Sequence, residues 1–264
     1  MSVAKAEKHD SAPLHVTGAA RYVDDSPTPG NALHLAFGLS TVARGTITGM
    51  NLDAVRQAEG VVAVLTREDL PGANDVSPSG DGEPLLARGE VFYRGQPLFI
   101  VAATSHLLAR RAAVLAEVSY EEHPAVITMD DAIAAGDRLE EPLVFAKGDA
   151  EEAIAGATHV IEGSLDVGGQ EHFYLEGQAA MAVPGEGGEV TVHSSTQHPS
   201  EIQHKVAEAL AVPFSDVAVQ VRRMGGGFGG KESQGNGLAI ACAVVARRTG
   251  RTVKMRYDRD DDFV

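Results

Sequence analysis

Two glycine-rich stretches hold most of the residues in this chain whose types and spacing could do chemistry. The first is Met224-Gly225-Gly226-Gly227-Phe228-Gly229-Gly230-Lys231-Glu232. Glycine lets backbone approach a ligand closely, so this segment offers N–H groups and one carboxylate, Glu232, in a single place. Two phosphate-binding patterns fit it formally. Gly225, Gly227 and Gly230 spell a dinucleotide fingerprint with Asp258 as a ribose-binding acid, although Asp258 follows Gly230 by 28 residues rather than about 20. Gly225, Gly230 and Lys231 spell most of a P-loop, but Glu232 stands where a Ser or Thr should hold Mg²⁺. The same glycines also suit a turn that merely lets two layers pack closely. Phe228 argues against that, being a bulky apolar residue set among glycines.

The second stretch is Gly168-Gly169-Gln170-Glu171-His172-Phe173-Tyr174-Leu175-Glu176. Gln170 can donate through its amide to an oxo group. Glu171 and Glu176 could be read as a glycosidase carboxylate pair, with surface solvation as the simpler account. His172, His193, His198 and His204 lack a metal-ligand spacing such as H-E-x-x-H and read as structural or exposed.

The elements that must position these residues follow from periodicity. Strands are predicted at 34–41, 61–66, 97–103, 116–122, 159–167, 179–183, 189–196, 217–224 and 252–257. Helices are predicted near 52–59, 107–115, 129–135, from Asp149 onward, at 200–210 and at 237–248. The first glycine stretch therefore sits between a strand and a helix. Residues 1–16 read as a polar lead-in, 71–82 as a long exposed loop and 123–148 as a connector, so early proteolytic cuts are expected at 71–82 or 123–148. The fold class is α+β (α/β). The chain ends at Val264 in charged sequence without a cap, which reads as a truncated second domain.

Composition narrows the function classes. Twenty-two basic against 37 acidic residues give a net charge of −15, which disfavours nucleic acid or an anionic membrane as partner. The longest apolar run, Leu238–Ala246, is too short to span a bilayer, and MSVAKAEKHDSAP lacks the apolar core of a secretory signal, so a cytoplasmic protein is the default. The single cysteine, Cys242, excludes an internal disulfide or a Cys-ligated iron–sulfur cluster built from this chain alone.

GGQEHFYLE (168–176), SSTQHPSEIQHKVAEALAVP (194–213) and MGGGFGGKES (224–233) resemble the molybdenum-binding part of the xanthine dehydrogenase/aldehyde oxidase family. TGAARYVDDSPTP (17–29) and GEVFYRGQPLFIVAATSHLLARRAA (89–113) resemble its α/β hammerhead domain. The likeness runs over nearly the whole chain from about residue 11, with several motifs in the family's order. It implies a lead-in at 1–10, a hammerhead domain at 11–145 and the start of a molybdopterin-binding domain at 146–264. It also implies a hydroxylase that oxidises hypoxanthine or xanthine to urate. Electrons would leave through 2Fe-2S clusters and FAD on a smaller partner subunit to NAD, in a heterotetramer.

Carried over by motif, Gln170 would hydrogen-bond the apical oxo of molybdenum, and Gly227, Phe228 and Gly229 would line the pterin through backbone. Gln170 and Phe228 would thus adjoin the metal without ligating it. Glu232 matches the carboxylate that faces a purine, where aldehyde oxidases of the family usually lack an acid. Such a group can hydrogen-bond purine N–H groups and stabilise charge shifted around the ring in the transition state. Its alternative role is as an acid in the first turn of the helix expected near Gly237. The family's catalytic base belongs to a part this chain does not match, so the 264 residues alone are expected to be inactive. The rival readings are a stand-alone nucleotide-binding module using Gly225–Gly230 and a non-catalytic fragment.

Overall fold

A computed structural model describes residues 4–80, 82–138 and 140–263. Residues 1–3 of the expected lead-in, Asp81 of the expected loop, Leu139 of the connector and Val264 at the chain end lie outside them. In chain order the elements are α1 (Ala12–Val16), β1 (Leu33–Leu39), β2 (Gly45–Asn51), α2 (Asp53–Gln57), β3 (Val61–Leu65), β4 (Glu90–Val91), β5 (Pro97–Ala103), α3 (His106–Ala113), β6 (Glu117–Glu122), α4 (Met129–Ala135) and α5 (Ala150–Ala155). Then follow β7 (Ala179–Pro184), β8 (Val190–Ser194), α6 (Pro199–Leu210), β9 (Val217–Gln220), α7 (Asn236–Thr249), β10 (Val253–Arg256) and α8 (Arg259–Asp262). The protein is α+β, with mixed parallel and antiparallel pairing.

The chain divides into two units, one formed by 1–123 with 172–264 and the other by 124–171. The first holds a seven-stranded sheet in the order β3-β5-β1-β10-β7-β8-β9 and a three-stranded sheet in the order β4-β2-β6. The large sheet joins strands from both sides of residue 145. Parallel pairing of β1 with β10 (Leu33 opposite Val253) makes that join. Helix α7 reads as Asn-Gly-Leu-Ala-Ile-Ala-Cys-Ala-Val-Val-Ala and is buried from Leu238 to Ala246. A helix apolar all round needs cover on all sides, and the sheet and α6 provide it through one continuous core that includes Leu33, Ile100, Ala182, Val192, Ile202, Val206, Ile240 and Val253. Gly250, left-handed at φ 66°, closes the helix and returns the chain to β10.

Most expected elements stand at nearly the expected positions, and their caps explain why. Ser105 accepts a bond from the Leu108 amide at the start of α3, and Asp149 from Glu152 at the start of α5. Three differences have physical causes. The strand expected at 159–167 is absent, and the whole of 159–171 is irregular and exposed, with Ile161 97% and Leu165 88% exposed. Alternation alone cannot make a strand without an edge to pair with. Strand β2 was not anticipated, because a register shift between Ile47 and Gly49 breaks its alternation where it pairs with β6. The loop 71–82 is pinned near its start and middle, since Ala73 donates to Glu208 O, Asn74 bonds Leu86 in both directions and Asn236 donates to Val76 O.

Candidate functional site

The segment from Met224 to Glu232 leaves β9 and enters α7, and its base is built around two side chains. Gln197, just past β8, accepts through its side-chain Oε1 from the Gly229 amide at 3.0 Å and the Lys231 amide at 3.3 Å, while its backbone N–H donates to Lys231 O at 2.7 Å. Lys231 is fully buried. Its ammonium donates to Glu176 O at 2.6 Å, Ser195 Oγ at 2.8 Å and Glu176 Oε2 at 3.3 Å, and lies 4.6 Å from the centre of the Tyr174 ring. Burial lowers the Lys231 pKa, and the Glu176 carboxylate opposes that shift. The same carboxylate accepts from Ser195 Oγ at 2.6 Å and the Gly225 amide at 2.7 Å. Gln178 closes the base by donating to Gly230 O at 2.8 Å and Tyr174 Oη at 3.0 Å.

Several of the glycines are required by this packing. A Cβ on Gly225 would lie 2.4 Å from Glu176 Cβ, one on Gly227 2.5 Å from Gln197 Oε1, and one on Gly230 2.7 Å from the Tyr174 ring. Gly226 and Gly229 take φ values of 102° and 95°. Phe228 takes φ 54°, an unusual conformation for a bulky residue, and its side chain is 75% exposed.

The tip differs from the base. Among the described residues, the amides of Gly226, Gly227 and Phe228 donate to no protein group. A Cβ at Gly229 would meet nothing nearer than His172 Nε2 at 3.8 Å. Successive unpaired amides beside an exposed aromatic ring suit a polar heterocycle carrying anionic groups, which is what molybdopterin is, so the residues present fit that cofactor. Glu232 is exposed, and among the described residues no hydrogen bond or ion pair holds its carboxylate. It precedes Gly235, the N-cap of α7, and the first turn of α7 carries no acid. The helix-dipole role is therefore corrected, because that interaction fades beyond the first turn.

The structure brings Gly227, Phe228, Gly229 and Glu232 together in one loop. Gln170 belongs to the unit 124–171, where it is exposed in the irregular stretch. Glu176 is not a solvated surface acid but the partner of Lys231, with 12% of its side chain exposed. Sequence reasoning missed this pair together with Ser195 and Gln197. The residues converge only through the pairing of β7 with β8 and of β8 with β9, although the run Ser194-Ser195-Thr196-Gln197 was visible as polar sequence following an apolar strand.

Both nucleotide patterns fail on this geometry. A P-loop lysine must reach phosphate, and the three N–H donors of Lys231 all go to protein groups. In a dinucleotide fold the ribose acid ends the strand beside the glycine loop. Here β7 and β8 separate β10 from β9, and Asp258 is engaged by His106, Arg110 and Arg256.

Comparison with known proteins agrees with this description. The family model for the aldehyde oxidase and xanthine dehydrogenase a/b hammerhead domain matches residues 17–124, and that for the molybdopterin cofactor-binding domain matches 135–264. The chain is 42% identical to xanthine dehydrogenase of Drosophila subobscura over 99% of its length, and 38% identical to aldehyde oxidase 4 of Rattus norvegicus over 97%. It spans 20% of the first relative and 19% of the second. Aldehyde oxidoreductase from Desulfovibrio desulfuricans superposes with a TM-score of 0.85 at 28% identity, covering 96% of this chain and 30% of that one. Sequence, fold and loop geometry agree, and the chain belongs to the xanthine dehydrogenase/aldehyde oxidase family.

Proposed function

We propose that the chain forms part of a molybdenum hydroxylase that oxidises hypoxanthine and xanthine to urate. Electrons would pass through 2Fe-2S clusters and FAD on a partner subunit to NAD, within a cytoplasmic heterotetramer. The observation that carries the reading is the exposed Phe228 with the unpaired amides of 226–228, fixed from behind by Gln197 and Lys231. When bound, molybdopterin with molybdenum would supply the hydroxylation chemistry and take up the substrate's electrons.

Gly227, Phe228 and Gly229 would hold that cofactor through backbone, and by motif resemblance the side-chain amide of Gln170 would adjoin the metal without ligating it. Glu232 accepts from purine N–H groups, orienting the ring, and strengthens that contact as charge moves around it. Cys242, the single cysteine, is buried, which is consistent with clusters carried on another subunit. The hammerhead is placed at 11–145 and the start of the molybdopterin-binding domain at 146–264. Matches to 17–124 and 135–264 support that order. Turnover is expected to need polypeptide beyond these 264 residues, since the chain spans about a fifth of the length of the relatives it matches.

Glu232→Ala in the assembled enzyme tests the substrate assignment. We expect kcat/KM on xanthine to fall about 100-fold or more, equivalent to roughly 2.7 kcal/mol, with a smaller loss on an aldehyde and an unchanged melting temperature. Equal losses on both substrates would remove the recognition role and point to disturbed packing of the loop.

A further inference from the structure

A cavity in the unit formed by 1–123 and 172–264 is lined in part by the residues that lead into the glycine loop. It has a volume of about 500 Å³, and its lining includes Arg21, Arg222, Arg223 and His193, with Tyr22 and Val23 among its other walls. Pairing of β8 with β9 sets His193 opposite Gln220, where β9 ends. The chain then delivers Arg222 and Arg223 before turning into Met224. Arg223 Nη1 donates to Arg21 O at 2.9 Å, which ties the arginine pair to the N-terminal segment.

Three arginines line this cavity. Arg56, Arg67, Arg110, Arg248, Arg256 and Arg259 each lie within 3.3 Å of an Asp or Glu oxygen, whereas Arg88 and Arg251 bond backbone oxygens instead. Among the described residues, Arg21, Arg222 and Arg223 have no such partner, though the chain carries a net charge of −15. Cations sharing one concavity repel each other unless an anion joins them, and apolar walls concentrate their field.

We propose that Arg21, Arg222 and Arg223 form a binding site for a phosphorylated small molecule, distinct from the loop amides assigned to the cofactor. A planar guanidinium fork matches phosphate oxygens, and three of them suit a group carrying two or more negative charges better than a single carboxylate. The volume lies within the range of small-ligand pockets, so an organic body attached to the phosphate would rest on Tyr22 and Val23. A polyanion such as nucleic acid is repelled by the remaining surface. His193, whose pKa burial lowers, is neutral at pH 7 and supplies a hydrogen bond rather than a charge.

The test is calorimetric titration of the full chain, with its native partners where they co-purify, using phenyl phosphate, inorganic pyrophosphate and inorganic phosphate as separate probes. We expect phenyl phosphate and pyrophosphate to bind once per chain with Kd below about 1 mM. Arg222→Ala and Arg223→Ala should each weaken this about 10-fold or more, Arg222→Lys should weaken it less, and Arg94→Ala should leave it unchanged. Phenyl phosphate exceeding inorganic phosphate would assign the site to an organic phosphate; the reverse would reduce it to a free-phosphate site and overturn the proposal. Absence of binding up to roughly 10 mM, or binding insensitive to the arginine substitutions in variants with native circular dichroism, would also overturn it. So would tighter binding of a poly-glutamate peptide, which would make the cavity a protein-docking site. None of these results depends on molybdenum content, so failure here is separable from failure of the cofactor assignment.

Discussion

Phe228 and Lys231 stand three residues apart and reverse the usual distribution of side chains. The apolar ring is 75% exposed and the ammonium is fully buried. The base of the loop is saturated with protein contacts, whereas at the tip the amides of 226–228 donate to no protein group among the described residues. The contrast shows how a loop can be both rigid and receptive. The cation that a phosphate motif would aim at a ligand instead acts as a post, and that post holds in place a residue whose backbone conformation is itself unfavourable. Burying an ammonium is costly unless every donor is met, and Glu176, Ser195 and the Glu176 carbonyl meet all three.

The largest effect should come from removing the post. Lys231→Met keeps much of the volume but leaves Glu176 facing the interior without its cation, and should destabilise the fold by about 3 kcal/mol in denaturant unfolding. Adding Glu176→Gln should recover part of that loss, since a neutral pair often replaces a buried ion pair without penalty. If Lys231→Met alone unfolded at the wild-type midpoint, the base would not be the anchor described.

At the tip the expectation is opposite. Phe228→Gly relieves a left-handed non-glycine backbone but frees the unfolded chain, so stability should change by less than about 1 kcal/mol. Molybdenum retained by the purified enzyme should nevertheless fall clearly. A parallel loss of stability would show that the ring packs for the fold rather than for the cofactor.

A smaller effect is expected at the far cluster, where Arg110 and Arg256 both engage Asp258. Burial would raise the Asp258 carboxyl, but His106 and the two arginines overcome it and hold the pKa below its ordinary 3.8. A depressed carboxylate contributes stability that is fully present above the unfolded value and is lost as pH falls through the folded one. Asp258→Asn should therefore lower the melting temperature slightly at pH 7 and shrink the drop as pH falls from neutral to below the ordinary carboxylate value of 3.8. An unchanged acid limb would show that this cluster is no more than a solvated surface network.

Much of this was legible in sequence where the signal is local. Periodicity and caps gave α3, α5, α6 and α7 within a few residues, and the glycine loop was visible as glycines around one phenylalanine. What sequence could not display is convergence across distance. Glu176 and Lys231 lie 55 positions apart and meet because β8 pairs with both β7 and β9, the strands that the two residues precede and follow. The same limit applies in reverse at 159–167, where alternation promised a strand but the segment has no ladder among the described residues. Gln170 lies in the irregular stretch 159–171 and Glu232 is exposed, so the roles proposed for both rest on motif resemblance, whereas that of Phe228 is also supported by its exposure beside unpaired amides.

The most direct measurement is the molybdenum and pterin content of the protein purified with its native partners. A backbone cradle at 226–229 calls for about one molybdenum and one pterin per chain, with no nicotinamide nucleotide bound at the glycine loop. Stoichiometric NAD bound by this chain in the absence of molybdenum would contradict the account, because it would require the glycine loop to bind phosphate while Lys231 stays buried.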